Sequence, residues 1–167
     1  MASAPSQTSL TPAHSAAPFV AYRQVEFAQT DMAGIVHFAN FYRWMEEAEH
    51  EFFRAHGLKI MERQAHGPYI GWPRVSCSCR YEAPAKHGDK IEIRVSVERV
   101  GFKSVSFHHE IWSGGRRLAT GKMKIACCLC HADGTLVSIE IPTEIRTVFE
   151  AVVSPPAASD RASASSP

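Results

Sequence analysis

Between a β-favouring stretch and a helical one, the chain reads Gln29-Thr-Asp31-Met-Ala-Gly34-Ile-Val36-His37-Phe38-Ala-Asn40. This places a carboxylate in a loop just upstream of a helix start. The first amides of a helix have no partner within it, and the macrodipole behind them favours negative charge. A carbonyl oxygen brought there is polarised, while a nearby carboxylate attacks its carbon or activates a water against it. Gly34, three residues after Asp31, lets backbone approach a ligand with no Cβ in the way. The simpler reading is that Asp31 caps a turn, as loop aspartates commonly do. By itself the loop specifies a carboxylate beside an anion-binding helix end, and no particular reaction.

Two other groups of residues have types that do chemistry. Cys77-x-Cys79 and Cys127-Cys128-x-Cys130-His131 supply zinc-type donors. Their spacing falls inside strand patterns, not on the knuckles that structural zinc uses. Cys77, Cys79 and Cys127 coincide with the inward alternation, where a free cysteine behaves as a small hydrophobe. No metal site is expected, and Cys128 and Cys130, facing the other way, are candidates for a subunit interface. His108-His109 should send its rings to opposite faces of one strand, which separates them as ligands. His50 follows Glu46 by four residues on a polar helix face, the spacing of a solvated pair.

The elements that must hold these residues follow from periodicity. Phe41, Trp44, Met45, Ala48, Phe52 and Ala55 recur at helical spacing, with Arg43, Glu46, Glu47, His50 and Arg54 opposite. Asn40 is the expected N-cap and Gly57 the C′ stop, giving a helix of about four to five turns. Downstream, apolar residues alternate with polar ones at Val75–Tyr81, Ile91–Val97, Val105–Ile111 and Met123–Leu129. His87-Gly88-Asp89, Val100-Gly101, Ser113-Gly114-Gly115 and Asp133-Gly134 supply the turns. Short turns demand antiparallel neighbours, and one helix on one sheet face completes two layers. The predicted fold is α+β: a curved antiparallel five-stranded sheet wrapped around one long central helix, the hotdog arrangement. A short last helix is predicted after Pro142, from Glu144 to about Ala151.

With 167 residues, 45% of them apolar and 21% charged, the chain suits one globular domain. That domain is predicted to span 18–153. The flanking tails, 1–17 and 154–167, are rich in Ala, Ser and Pro and too poor in bulky side chains to offset ordering entropy, so both are predicted to be disordered. A net charge of +1 offers no electrostatic footprint for nucleic acid. No apolar run is long enough to span a membrane, and the N-terminus lacks a secretory pattern. Five cysteines, an odd count in two clumps, argue against a disulfide framework and for a reducing, cytoplasmic setting.

The string Phe27-x-x-x-Asp31-x-x-Gly34-x-Val36-x-Phe38-x-Asn40-Phe41-x-x-Trp44 resembles the signature of the 4-hydroxybenzoyl-CoA thioesterase family. The likeness extends over Glu46-Glu47-Ala48, Phe52 to Gly57, Gly71-x-Pro73-x-Val75-Ser76-Cys77 and Lys103-Ser104, roughly residues 19 to 150. It implies the hotdog fold, hydrolysis of acyl-CoA thioesters, no metal or organic cofactor, and assembly into dimers or tetramers, with no nucleic-acid or membrane partner. It assigns Asp31 as nucleophile or general base, and the Phe38 backbone N–H as the group that polarises the thioester carbonyl. Val36, His37 and Trp72 would line the acyl pocket, and Lys103 would hold a CoA phosphate. Trp72 replaces a smaller residue of the benzoyl-specific relatives, so the acyl group does not carry over; aromatic and short-chain acids both remain open. Two other readings keep the fold. An enoyl-thioester hydratase or dehydratase would need a His-Phe-Pro element, whereas His37-Phe38 is followed here by Ala39-Asn40. A non-catalytic acyl-CoA-binding module would not need Asp31 beside Gly34.

Overall fold

The structure, a computed structural model, describes residues 17–65 and 67–154. Apart from Ala17 and Ser154, the two predicted tails lie outside the described residues. Strand β1 (Phe19–Gln24) leads through a single 3-10 turn, Phe27–Gln29, to the Asp31 loop and then to α1 (Ala39–Ala55). Two short strands follow, β2 (Met61–Arg63) and β3 (Tyr69–Gly71), then β4 (Arg74–Tyr81), β5 (Lys90–Val100), β6 (Ser104–Ser113) and β7 (Arg116–Ala126). The chain ends in β8 (Cys128–Cys130), β9 (Leu136–Ser138) and α2 (Thr143–Ala151).

The main sheet has five antiparallel strands in the order β1-β5-β6-β7-β4. Its inward face carries Ile91, Ile93, Val95, Val97, Val105, Phe107, Ile111, Met123 and Ile125, each 2% exposed or less. Onto it α1 lays Phe41, Trp44, Met45, Ala48, Phe52 and Phe53, all buried. Each Å² of apolar surface so buried contributes about 25 cal/mol, and the helix–sheet interface is where the stripe of α1 meets the buried face of the sheet. Gly121 leaves room for the Met45 thioether, which any Cβ there would strike. On the polar side, Arg23 of β1 pairs with Glu47 at 2.9 Å and Glu51 at 2.6 Å, tying helix to edge strand.

The fold is the α+β hotdog arrangement, with three departures from expectation. A second sheet of four short strands, β2-β3-β8-β9, accompanies the first; the short last helix is found where expected, as α2, and packs Phe149 against Phe52, Phe53 and Trp72. The central helix has 17 residues, an ordinary length for a globular protein rather than a long one. The alternation read as one strand from Met123 to Leu129 is broken at Cys127, where the chain passes from one sheet to the other. Cys127 N donates to Lys103 O at 2.8 Å, and Ile139 N donates back to Cys127 O at 2.8 Å. Because both sheets face the same core, inward alternation continues across the bend and hides it.

The edge strand β4 also differs. Val75 and Cys77 were expected inside, yet both are exposed, and Cys79 is only partly buried. They share a face with Met123 and Gly121 but lie at the rim of the surface that α1 covers. Cys128, expected to face outward, is buried, whereas Cys130 is half-buried. Ala55 is exposed and Phe53 takes its place in the core.

Candidate active site

The Asp31 loop is built as a small hairpin from backbone bonds. His37 N donates to Gln29 O and Asp31 N to Ile35 O, both at 2.9 Å, around an isolated antiparallel bridge between Thr30 and Val36. At the tip, Gly34 N donates to Asp31 O at 2.9 Å with Gly34 at φ 71°. That left-handed conformation is the one glycine adopts without cost. Gly34 therefore serves the turn, and its amide is used within it. One carboxylate oxygen, Asp31 Oδ1, accepts Ala33 N–H at 2.8 Å, the local turn bond typical of aspartate. Oδ2 has no partner among the described residues, and the side chain is exposed to solvent.

The foot of the hairpin runs straight into α1. Phe38, in helical conformation at φ −51° and ψ −34°, is the cap of α1, so Asn40 lies two residues inside the cap rather than at it as predicted. Asn40 instead closes the loop, its Nδ2 donating to Gln29 O at 2.8 Å and its N–H to His37 O at 3.0 Å. His37 Nδ1 accepts Ala39 N–H at 3.3 Å, and Phe41 N–H reaches Phe38 O at 3.2 Å. Among these first amides, only the Phe38 N–H carries no bond to the described residues. The peptide that bears it has its carbonyl engaged by Asn40, and a polarised peptide is a stronger donor.

A carboxylate at the tip and a free amide at the foot of one rigid loop suit an acyl-transfer site. The two groups need not touch. An attacking oxygen at about 3.2 Å from the carbon, a C=O bond of about 1.2 Å and a hydrogen bond of about 2.9 Å, joined at angles, let the two groups stand up to about 7 Å apart. Apolar groups rim the loop: Met32 is 107% exposed, Phe27 78% and Phe38 58%. Tyr81, at the end of β4, donates its hydroxyl to Phe38 O at 3.2 Å and meets the Phe41 ring edge-on at 5.2 Å.

The other residues singled out from sequence are not all gathered here. His37 flanks the foot of the loop, its ring 4.5 Å from that of Phe38. Val36 is buried, and its N–H donates to Ala85 O at 2.9 Å, so it anchors the loop to the core. Trp72 lies at the opposite end of α1, packed on Phe53 at 5.9 Å and Phe149 at 5.6 Å. Lys103, in the turn before β6, donates to Ser138 O at 3.2 Å and is otherwise exposed. No group of three or more His, Cys, Asp and Glu side chains gathers to hold a metal ion among the described residues.

A charged cluster was missing from the sequence reading. Glu49 is 2% exposed and His109 0%, with Glu49 Oε1 3.2 Å from His109 Nε2. Arg74 bridges Glu49 at 2.9 Å and Glu46 at 3.0 Å, while His50 stands 4.0 Å from Glu46. One signal was available: Glu49 follows Met45 by four residues and Phe41 by eight, a charge on the apolar stripe itself.

Comparison with known proteins fits this geometry. A family model described as the thioesterase-like superfamily matches residues 25–155. A 1,4-dihydroxy-2-naphthoyl-CoA hydrolase of Synechococcus sp. (strain CC9605) is 31% identical over 113 residues, 65% of this chain and 72% of its own. The solved structure of a gentisyl-coenzyme A thioesterase is 31% identical with a TM-score of 0.65, over 78% of this chain and 98% of that one. A 4-hydroxybenzoyl-CoA thioesterase solved with 4-hydroxybenzoyl-CoA shares the fold at a TM-score of 0.70 and 23% identity, over 80% and 99% of the two chains. By its family match and its hotdog architecture, this chain belongs to the thioesterase-like superfamily.

Proposed function

We propose that Asp31 is the reacting carboxylate of this protein and the Phe38 N–H its carbonyl-polarising donor. The reaction is that of an acyl-CoA thioesterase: acyl-CoA and water give the free acid and CoA thiol. The observation that carries the assignment is the loop itself, where one carboxylate oxygen at the tip and one amide at the foot have no partner among the described residues. Asp31 either attacks the thioester carbon, forming a mixed anhydride that water opens, or takes a proton from the attacking water. In both routes the carbonyl oxygen gains charge, and the helix-start amide stabilises it.

The acyl group in this proposal is a hydroxylated aromatic acid, because the relatives are named for substrates of that kind and aromatic side chains rim the loop. Lys103 is the proposed phosphate contact for CoA, as a point charge. Assembly is proposed to begin at β4, which among the described residues pairs only with β7 and leaves its other edge open. An eight-residue edge carrying exposed Val75, Cys77 and Tyr81 is a template for a second copy, and two such dimers would form a tetramer. Five free cysteines support a reducing, cytoplasmic location. No helix among the described residues is long and apolar enough to cross a membrane.

Thiol release measured over a panel of aromatic and short-chain acyl-CoAs tests the function directly. Hydroxybenzoyl-type esters are expected to turn over fastest, and no release from any member would refute the reading. Single turnover in ¹⁸O-water tests the anhydride route: label in the Asp31 carboxylate marks an anhydride opened at the aspartyl carbon.

A further inference from the structure

We infer that Tyr81 is a positioning residue that holds the Phe38 amide in its carbonyl-polarising orientation; the inference rests on the site proposed above. Phe38 is the hinge between hairpin and helix, and both of its peptide units are held: the first from within the loop, the second by Phe41 N–H from within the helix and by Tyr81 from across the sheet. Asn40 N–H bonds the carbonyl of the unit that carries the Phe38 N–H, at 3.0 Å. Tyr81 bonds the carbonyl of the next unit, at 3.2 Å. With both peptide planes held, the direction of the free N–H is fixed. Removing the Tyr81 hydroxyl leaves the second peptide plane held only from within the first turn of the helix, and misplacement of a donor by a fraction of an ångström weakens its pull on a developing oxyanion.

The anchor is specific in origin. Asn40 belongs to the loop and helix it braces, whereas Tyr81 reaches across from the free edge of the main sheet. Its ring is set edge-on to Phe41 at 5.2 Å, which fixes where the hydroxyl points. The hydroxyl also interacts with the side chains of Tyr42 and Cys79, so it belongs to a small polar cluster. Burial, followed by the neighbouring thiol, pushes the Tyr81 phenol well above its ordinary range, so the hydroxyl keeps its proton and remains a donor at any working pH. The same strand edge is the one proposed to meet a second copy. Tyr81 is thus the point at which the state of that edge reaches the reacting site.

The test uses Tyr81→Phe, which keeps the ring on Phe41 and removes only the hydroxyl. In an Asp31→Asn background, the infrared carbonyl stretch of bound 4-hydroxybenzoyl-CoA is expected to lie below that of the free ester. Adding Tyr81→Phe should return at least about half of that red shift. In the otherwise native protein, Tyr81→Phe should lower kcat about tenfold while KM stays within about twofold, as expected for a donor weakened but not lost. A red shift unaltered by Tyr81→Phe overturns the inference, whatever the rate does. Failure of the Asp31→Asn protein to bind the ester, together with no thiol release by the native chain, counts against the thioesterase site and not against Tyr81 alone.

Discussion

The molecule holds two acidic centres that differ in almost every physical respect. Asp31 stands exposed on a turn made of backbone bonds, with one carboxylate oxygen uncommitted. Glu49 is buried between α1 and the main sheet, with one oxygen on Arg74 at 2.9 Å and the other 3.2 Å from His109. By residue type the second centre looks more like a catalytic dyad, since a carboxylate beside an imidazole is a familiar base. By access it is not one: both partners are sealed at 2% and 0% exposure. The difference teaches that a reacting carboxylate is identified by an unspent oxygen in reach of solvent and of a polarising donor. A carboxylate sealed in the core and held by an arginine is part of the packing.

That contrast can be broken by substitution, and the largest effect should fall on the buried centre. Glu49→Ala removes the carboxylate beside the fully buried His109 and one of the two acidic partners of Arg74. Leaving a buried polar group without its neighbour costs about 1–3 kcal/mol, to which the cavity left by the side chain adds. Chemical denaturation should show that loss, while kcat of the folded protein at low temperature stays close to native. A Glu49→Ala protein of native stability would mean that the cluster is not packed as described.

A smaller effect is expected at the tip of the loop. Gly34→Ala forces a Cβ into a φ of 71° although nothing crowds the site. The strain is about 1–2 kcal/mol, visible as a lowered melting temperature, and the displaced Asp31 should lose activity severalfold. A variant with native kcat would show that the turn is not needed to aim the carboxylate.

The smallest effect concerns pH. Burial first, then the neighbouring thiols Cys128 and Cys130, pushes the Cys127 thiol from an ordinary 9.0 up to about 11. The folded state thus holds that proton more tightly than the unfolded chain does. Its contribution is complete below about pH 9 and is lost as pH rises toward 11. Melting curves of native and Cys127→Ala proteins should converge over that window, and parallel curves would contradict it.

Much of the fold was legible because the dominant signals are periodic. The stripe from Phe41 to Phe52 and the alternation in Ile91–Val97 each specify a buried face, and both faces are found together in the core. The bend at Cys127 was not legible, since inward alternation continues through it into the second sheet. Nor was the exposure of Cys77: a period-2 pattern reports which face a residue is on, and not whether a helix reaches far enough to cover it. At the site, Asp31 and Gly34 could be singled out from type and spacing. The free amide at Phe38 came only through family resemblance, because backbone donors leave no trace in side-chain chemistry. Tyr81 was hidden more deeply, as its partner is a carbonyl 43 residues away, a contact that only the folded sheet creates. Asn40 was legible as a helix-start residue, but its real bond runs backward to Gln29.

One comparison of turnover tests the central claim most directly. Asp31→Asn and Glu49→Gln are assayed side by side for thiol release from the best acyl-CoA of the panel, well below either melting temperature. Asp31→Asn should keep the native melting temperature and lose at least about a hundredfold in kcat, as befits loss of a covalent or acid–base group. Glu49→Gln should melt earlier yet keep kcat within about threefold. Near-native turnover by a folded Asp31→Asn protein, or an equal loss in Glu49→Gln, would contradict the placement of the chemistry at Asp31.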